Sequence, residues 1–79
     1  MDNDHLNIWT AIDRIAIDNG LSVSGLAKRS GLDATAFNKS KRMYPTGKRR
    51  WPSTESVAKI VRAMHMSWPQ FVSYLDNPR

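Results

Sequence analysis

Residues 21–42 read LSVSGLAKRSGLDATAFNKSKR, and the fold turns on this stretch. It predicts two short helices, 23–30 and 34–41, parted by a glycine turn. Ser22 suits the N-cap of the first, because its hydroxyl can accept from a backbone N–H that lacks a helical partner. Leu26 and Ala27 fall on the inner side and Lys28 and Arg29 on the outer. Where two helices cross, a small residue must sit on the first, and Ala27 supplies it. Four residues later the turn needs a residue at ease with positive φ, and Gly31 supplies it. Leu32 then pins the turn, Asp33 caps the second helix and Phe37 anchors it. The spacing Ala-x₃-Gly-Leu-x₄-Phe therefore meets the steric needs of a helix-turn-helix. The plainer reading, an αα-hairpin inside a bundle, leaves Asn38, Lys39 and Arg42 exposed without a role.

Upstream, a helix is expected over 5–19. Asp4 or Asn3 can cap it, and Ile8, Ile12 and Ile15 recur at helical spacing beside Ala11. Asp13, Arg14 and Asp18 can stay in water, and Gly20 is placed to stop the helix. Trp9 and Ile17 lie off the apolar stripe, open to a partner or to a later helix. Downstream, 43–52 reads MYPTGKRRWP, where Pro45, Gly47 and Pro52 speak against any regular element. A fourth helix should begin at Ser53 or Thr54 and end near His65, with Val57, Ile60, Val61 and Met64 on one face. Ser67-Trp68-Pro69-Gln70 has the pattern of a capping box and opens a short fifth helix carrying Phe71, Val72 and Leu75. Residues 76–79 read as a tail or linker. The expected architecture is all-α: one domain over 1–79, a bundle of about five short helices around the helix-turn-helix, with no strand.

Charge is concentrated as a polyanion-binding face requires. The 79 residues carry a net +5, yet 28–50 alone holds eight basic residues and one acid, Asp33, for +7. The remainder has four basic and six acidic residues, or −2. Solubility alone does not need such segregation. No cysteine is present, so no disulfide supports the small core. The polar, acidic start MDNDHLN lacks the pattern of a secretion signal, and no apolar run reaches the length of a membrane span. The expectation is a cytoplasmic chain with no membrane role.

Two motifs, LSVSGLAKRSGLDATAFNKSKR and the later WPSTESVAKIVRAMHMSWPQFV, resemble the lambda-repressor-like (XRE or phage-repressor type) helix-turn-helix family. The similarity covers residues 6–75. It is closest to the N-terminal DNA-binding domain of bacterial repressors whose C-terminal half is a self-cleaving peptidase related to the SOS repressor. That half lies outside this chain, and Ser40-Lys41, as neighbours on one expected helix, cannot form its dyad. The resemblance implies sequence-specific binding of double-stranded DNA by a transcriptional repressor, as a homodimer on a palindromic operator. It implies that helix 34–41 enters the major groove, with Ala34, Thr35, Asn38 and Lys39 reading bases. Thr35 can offer a methyl to thymine, Asn38 can pair with adenine N6 and N7, and Lys39 can donate to guanine. The family often has a long polar residue where this chain has Ala34, which leaves only a methyl contact there. Backbone contacts are expected from Ser22, Ser24, Lys28, Lys41 and Arg42. The basic loop Lys48, Arg49, Arg50 and Trp51 should lie on the phosphates or reach into the minor groove, the alternative being a mobile loop that makes only general electrostatic contacts.

The competing reading is a protein-interaction module, antitoxin-like or an adaptor, with an acidic partner and a surface built from Trp9, Ile17 and Trp68. An enzyme is not expected, since no nucleophile–base pair or phosphate loop is visible. His5 and His65 have no cysteine or acidic cluster around them, so neither a metal site nor a cofactor is expected.

Overall fold

The computed structural model describes residues 3–75. Its four α-helices are α1 (Asp4–Asp18), α2 (Val23–Arg29), α3 (Thr54–Ala63) and α4 (Trp68–Leu75), and a single 3₁₀ turn covers Lys39–Lys41. The all-α class is as expected.

The caps explain most of the boundaries. Ser22 Oγ accepts from Gly25 N at the start of α2, and Ser53 Oγ accepts from Ser56 N at the start of α3. The box before α4 closes in both directions: Ser67 N donates to Gln70 Oε1, and Gln70 N donates to Ser67 Oγ. Gly31 takes a φ of +76°, so the turn after α2 falls where its sequence predicts. Gly25, inside α2, has a steric role. A Cβ there would meet Ser22 Oγ at 3.3 Å, so the glycine keeps room for the capping hydroxyl.

α1 packs against α2 and α4, and α2 packs against α3. Ile12, Ile15, Leu26, Phe37 and Ile60 are the largest side chains sealed at the centre, with Val57, Val61 and Phe71 around them. The apolar spacing of each helix thus faces one core. Trp9 is buried in it too, at 3% exposure. Ile17 is 72% exposed.

Two elements differ from the sequence reading. The helix expected over 34–41 does not form. Ala36 N bonds Asp33 O, Asn38 N bonds Thr35 O, and Lys41 N bonds Asn38 O, each closing a three-residue step and not the four-residue step of an α-helix. Asn38 is extended, at φ −62° and ψ 149°, and divides the segment into a turn and the 3₁₀ piece. The cause is local. Thr, Asn and Ser are weak helix formers, Lys39, Lys41 and Arg42 repel one another, and eight residues cannot offset the cost of nucleation with one core anchor.

The second difference is in 43–52, where a regular element was not expected. Met43 and Arg49 form an isolated antiparallel bridge, Tyr44 N donates to Lys48 O, and Gly47 N donates to Tyr44 O. Gly47 has φ +88°. This is a three-residue hairpin loop, with Pro45 fitting the second position of the turn and Gly47 the left-handed one. Pro-x-Gly between two extended pairs is a hairpin signal, not only a breaker signal.

Candidate nucleic-acid interface

The basic segment is held in place by one stripe of α1. His5, Trp9 and Asp13 recur every four residues and so lie along one side of the helix. All three grip the segment. Asp13 takes a two-pronged ion pair from Arg42, at 2.7 and 3.0 Å. The same guanidinium donates to Phe37 O at 2.8 Å and sits 4.7 Å from the centre of the Trp9 ring. Trp9 Nε1 donates to Arg50 O at 3.0 Å. His5 Nε2 lies 3.0 Å from both Arg42 O and Arg50 O. Carbonyl oxygens only accept, so Nε2 carries the hydrogen and shares it between them.

These contacts answer a structural need. An irregular segment leaves carbonyls without partners, and partly buried ones are costly unless satisfied. Across the base of the hairpin Arg50 N donates to Arg42 O, while Arg42 N donates back to Lys39 O. His5 and Trp9 complete the same junction. Trp9 also meets Phe37 edge to face, with ring centres 6.3 Å apart, so the apolar anchor and the polar clamp adjoin. Arg42 Nε is buried without a partner, which leaves the clamp one bond short of full satisfaction.

The expected contact residues divide accordingly. Lys28, Arg29, Lys39, Lys41, Lys48 and Arg49 are exposed, and Arg50 is half-buried. Among the described residues, none of these seven forms an ion pair with an acid. Lys41 Nζ reaches Thr35 Oγ1 at 3.3 Å, and Arg50 Nη1 reaches Lys41 O at 3.4 Å, which draws the two edges of the segment together. Arg42 is the exception. Its charge is spent on Asp13, so it supports the surface and does not face out from it. Of the four expected base readers, Thr35 and Lys39 are exposed, while Ala34 and Asn38 are half-buried. The Thr35 hydroxyl is engaged, since it donates to Asp33 Oδ1 at 2.8 Å. Thr35 N donates to the same oxygen at 2.9 Å. Those two bonds, Thr35 N–H first, and more weakly the Lys41 charge, hold the Asp33 carboxyl below its ordinary range. Ser22 and Ser24 share a hydrogen bond at the start of α2, 3.2 Å long.

The sequence reading missed His5, Trp9 and Asp13 as organisers of this surface. Their four-residue recurrence was the available signal, but nothing local named Arg42 and Arg50 as the partners. The surface imagined for a protein partner also changes, because Trp9 is buried and only Ile17 and Trp68 of the three are exposed. No group of three or more metal-ligating side chains occurs among the described residues, and no helix there is long and apolar enough to cross a membrane.

The chain matches no protein-family model, no curated protein and no solved structure.

Proposed function

We propose that this chain binds double-stranded DNA as a transcription regulator, through the C-terminal end of α2 and the clamped basic segment 38–50. One observation carries the reading. Six exposed cations, Lys28, Arg29, Lys39, Lys41, Lys48 and Arg49, form no ion pair with an acid among the described residues, on a backbone that α1 fixes in position. Fixed, unneutralised cations release counterions on meeting a phosphate backbone, which is the main source of affinity in such complexes. Fixing also lowers the ordering cost of binding.

The geometry that supports this reading is not a helix laid in a groove. The 3₁₀ turn Lys39–Lys41 and the hairpin after it present the charges. Of the four expected base readers, Lys39 is the one that can donate to a guanine edge, and the Thr35 methyl is free where its hydroxyl is not. The resemblance to phage-type repressors agrees with a sequence-specific site and two copies on a palindrome.

Selection from a pool of random duplexes tests this directly. A recovered motif that Lys39→Ala relaxes supports sequence-specific regulation, and its half-site spacing reports whether one copy or two bind. Equal retention of every duplex, unchanged in Lys39→Ala, contradicts specificity. Failure to retain any duplex at low salt contradicts DNA binding altogether.

A further inference from the structure

We infer that the cleft between Tyr44 and Trp51 receives one unstacked nucleobase of the bound DNA. The inference rests on the nucleic-acid reading above and adds the chemical class recognised beside the phosphate contacts.

Tyr44 and Trp51 stand at the two ends of the hairpin and line the same cleft. They are 48% and 50% exposed, although both rings are large and apolar. The His5 ring meets the Trp51 ring nearly at right angles, with centres 5.5 Å apart. Half of the Trp51 surface stays open. Phe37 contributes to the inner wall, while Ser53 and Ser56 supply hydroxyls at the rim. The cleft measures about 270 Å³. That is just below the roughly 300–1,000 Å³ of pockets for drug-sized ligands, and it suits a single flat ring.

Charge selects the occupant. No acidic side chain lines the cleft, Arg50 does, and Lys48 and Arg49 lie on the same hairpin between the two aromatics. An aromatic slot flanked by free cations matches the ring-plus-phosphate repeat of a nucleotide strand. Every base presents a π-face, so stacking of this kind tolerates sequence. A fully paired duplex keeps its bases stacked, and extruding one is costly. The cleft is therefore filled when a base is already unpaired, as at a bulge, a mismatch or an overhang.

The test compares a short blunt duplex with the same duplex carrying one bulged thymine, by fluorescence anisotropy. The bulge should raise affinity about 5- to 100-fold, the range that one base–aromatic stack supplies. Tyr44→Ala should bring the bulged duplex down to the affinity that the same variant has for the blunt one, while Tyr44→Phe should preserve the gain. Tyr44 is an exposed side chain, so the variant should fold, which a thermal melt checks. In a Trp68→Phe background, which leaves the buried Trp9 and the exposed Trp51 as emitters, the bulged duplex should quench the emission and the blunt one should not. Blunt binding without any bulge gain overturns the base cleft and leaves the DNA reading standing. Equal loss on both duplexes in Tyr44→Ala also overturns it. No binding to either duplex overturns both readings together.

Discussion

Helix α1 holds the molecule with two different stripes. One is apolar: Ile12 and Ile15 are fully buried and pack the helices α2, α3 and α4 around a common core. The other is polar and aromatic: His5, Trp9 and Asp13 hold the irregular basic segment by its carbonyls and by Arg42. The first stripe acts through burial, which has no direction and needs only a matching face. The second acts through hydrogen bonds and an ion pair, which have direction and need particular partner atoms. Regular helices can be gathered by the first kind. A non-repetitive backbone needs the second, because its own polar groups are not satisfied within it.

The largest separation between the two stripes comes from emptying each in turn. Ile12→Ala removes packed volume at the centre and should cost about 2–5 kcal/mol. Chemical denaturation should show this, and hydrogen exchange should rise throughout the helices together. Asp13→Ala leaves the Arg42 guanidinium half-buried without its counter-charge, at a cost of roughly 2–4 kcal/mol. Here exchange should rise first at the amides of Tyr44 and Arg50, before the amides of α3. Uniform exchange in both variants contradicts a separate clamp.

Smaller effects sharpen the comparison. Trp9→Phe keeps most of the ring and deletes one bond to Arg50 O, for about 1 kcal/mol. Its DNA affinity should fall by more than its stability alone explains, because the basic segment loosens. Two titrations complete the series. The Asp18 carboxylate accepts the Tyr74 hydroxyl hydrogen at 2.6 Å, which, with partial burial, raises the Tyr74 pKa above its ordinary 10.0. That contribution is intact below the ordinary value and is lost as pH rises through the raised one. Tyr74→Phe should flatten the alkaline limb of the stability profile. Asp33 behaves oppositely: its pKa lies below the ordinary 3.8, so its contribution is present above that value and is lost as pH falls. Asp33→Asn should slightly reduce the acid sensitivity of the segment, read by exchange at the Thr35 amide.

The same contrast explains what the sequence disclosed. The apolar stripe was legible because a single spacing rule applies to every residue on it. So were the caps at Ser22, Ser53 and Ser67, whose partners lie within three residues. The turn at Gly31 and the anchor at Phe37 were legible for the same reason. Helix 34–41 was misread because Phe37 satisfied the anchor rule while Asn38 broke the backbone, and one anchor cannot outweigh poor propensity. The clamp was hidden because Asp13 and Arg42 are 29 residues apart, with nothing between them to encode the pairing. Of the candidate contacts, the charges were legible from composition. Which of them face outward was not: Arg42 reads like Lys41 in sequence and differs only through Asp13.

The central claim is that the clamped segment, not basic charge in general, meets the DNA. The salt dependence of duplex affinity tests it, using Lys48→Ala/Arg49→Ala against Lys59→Ala/Arg62→Ala, a matched loss of two charges on α3. If Lys48 and Arg49 each contact a phosphate, the first variant should lower the slope of log affinity against log salt by about 2. The α3 variant should keep the wild-type slope. Equal slopes in the two variants would contradict the assignment.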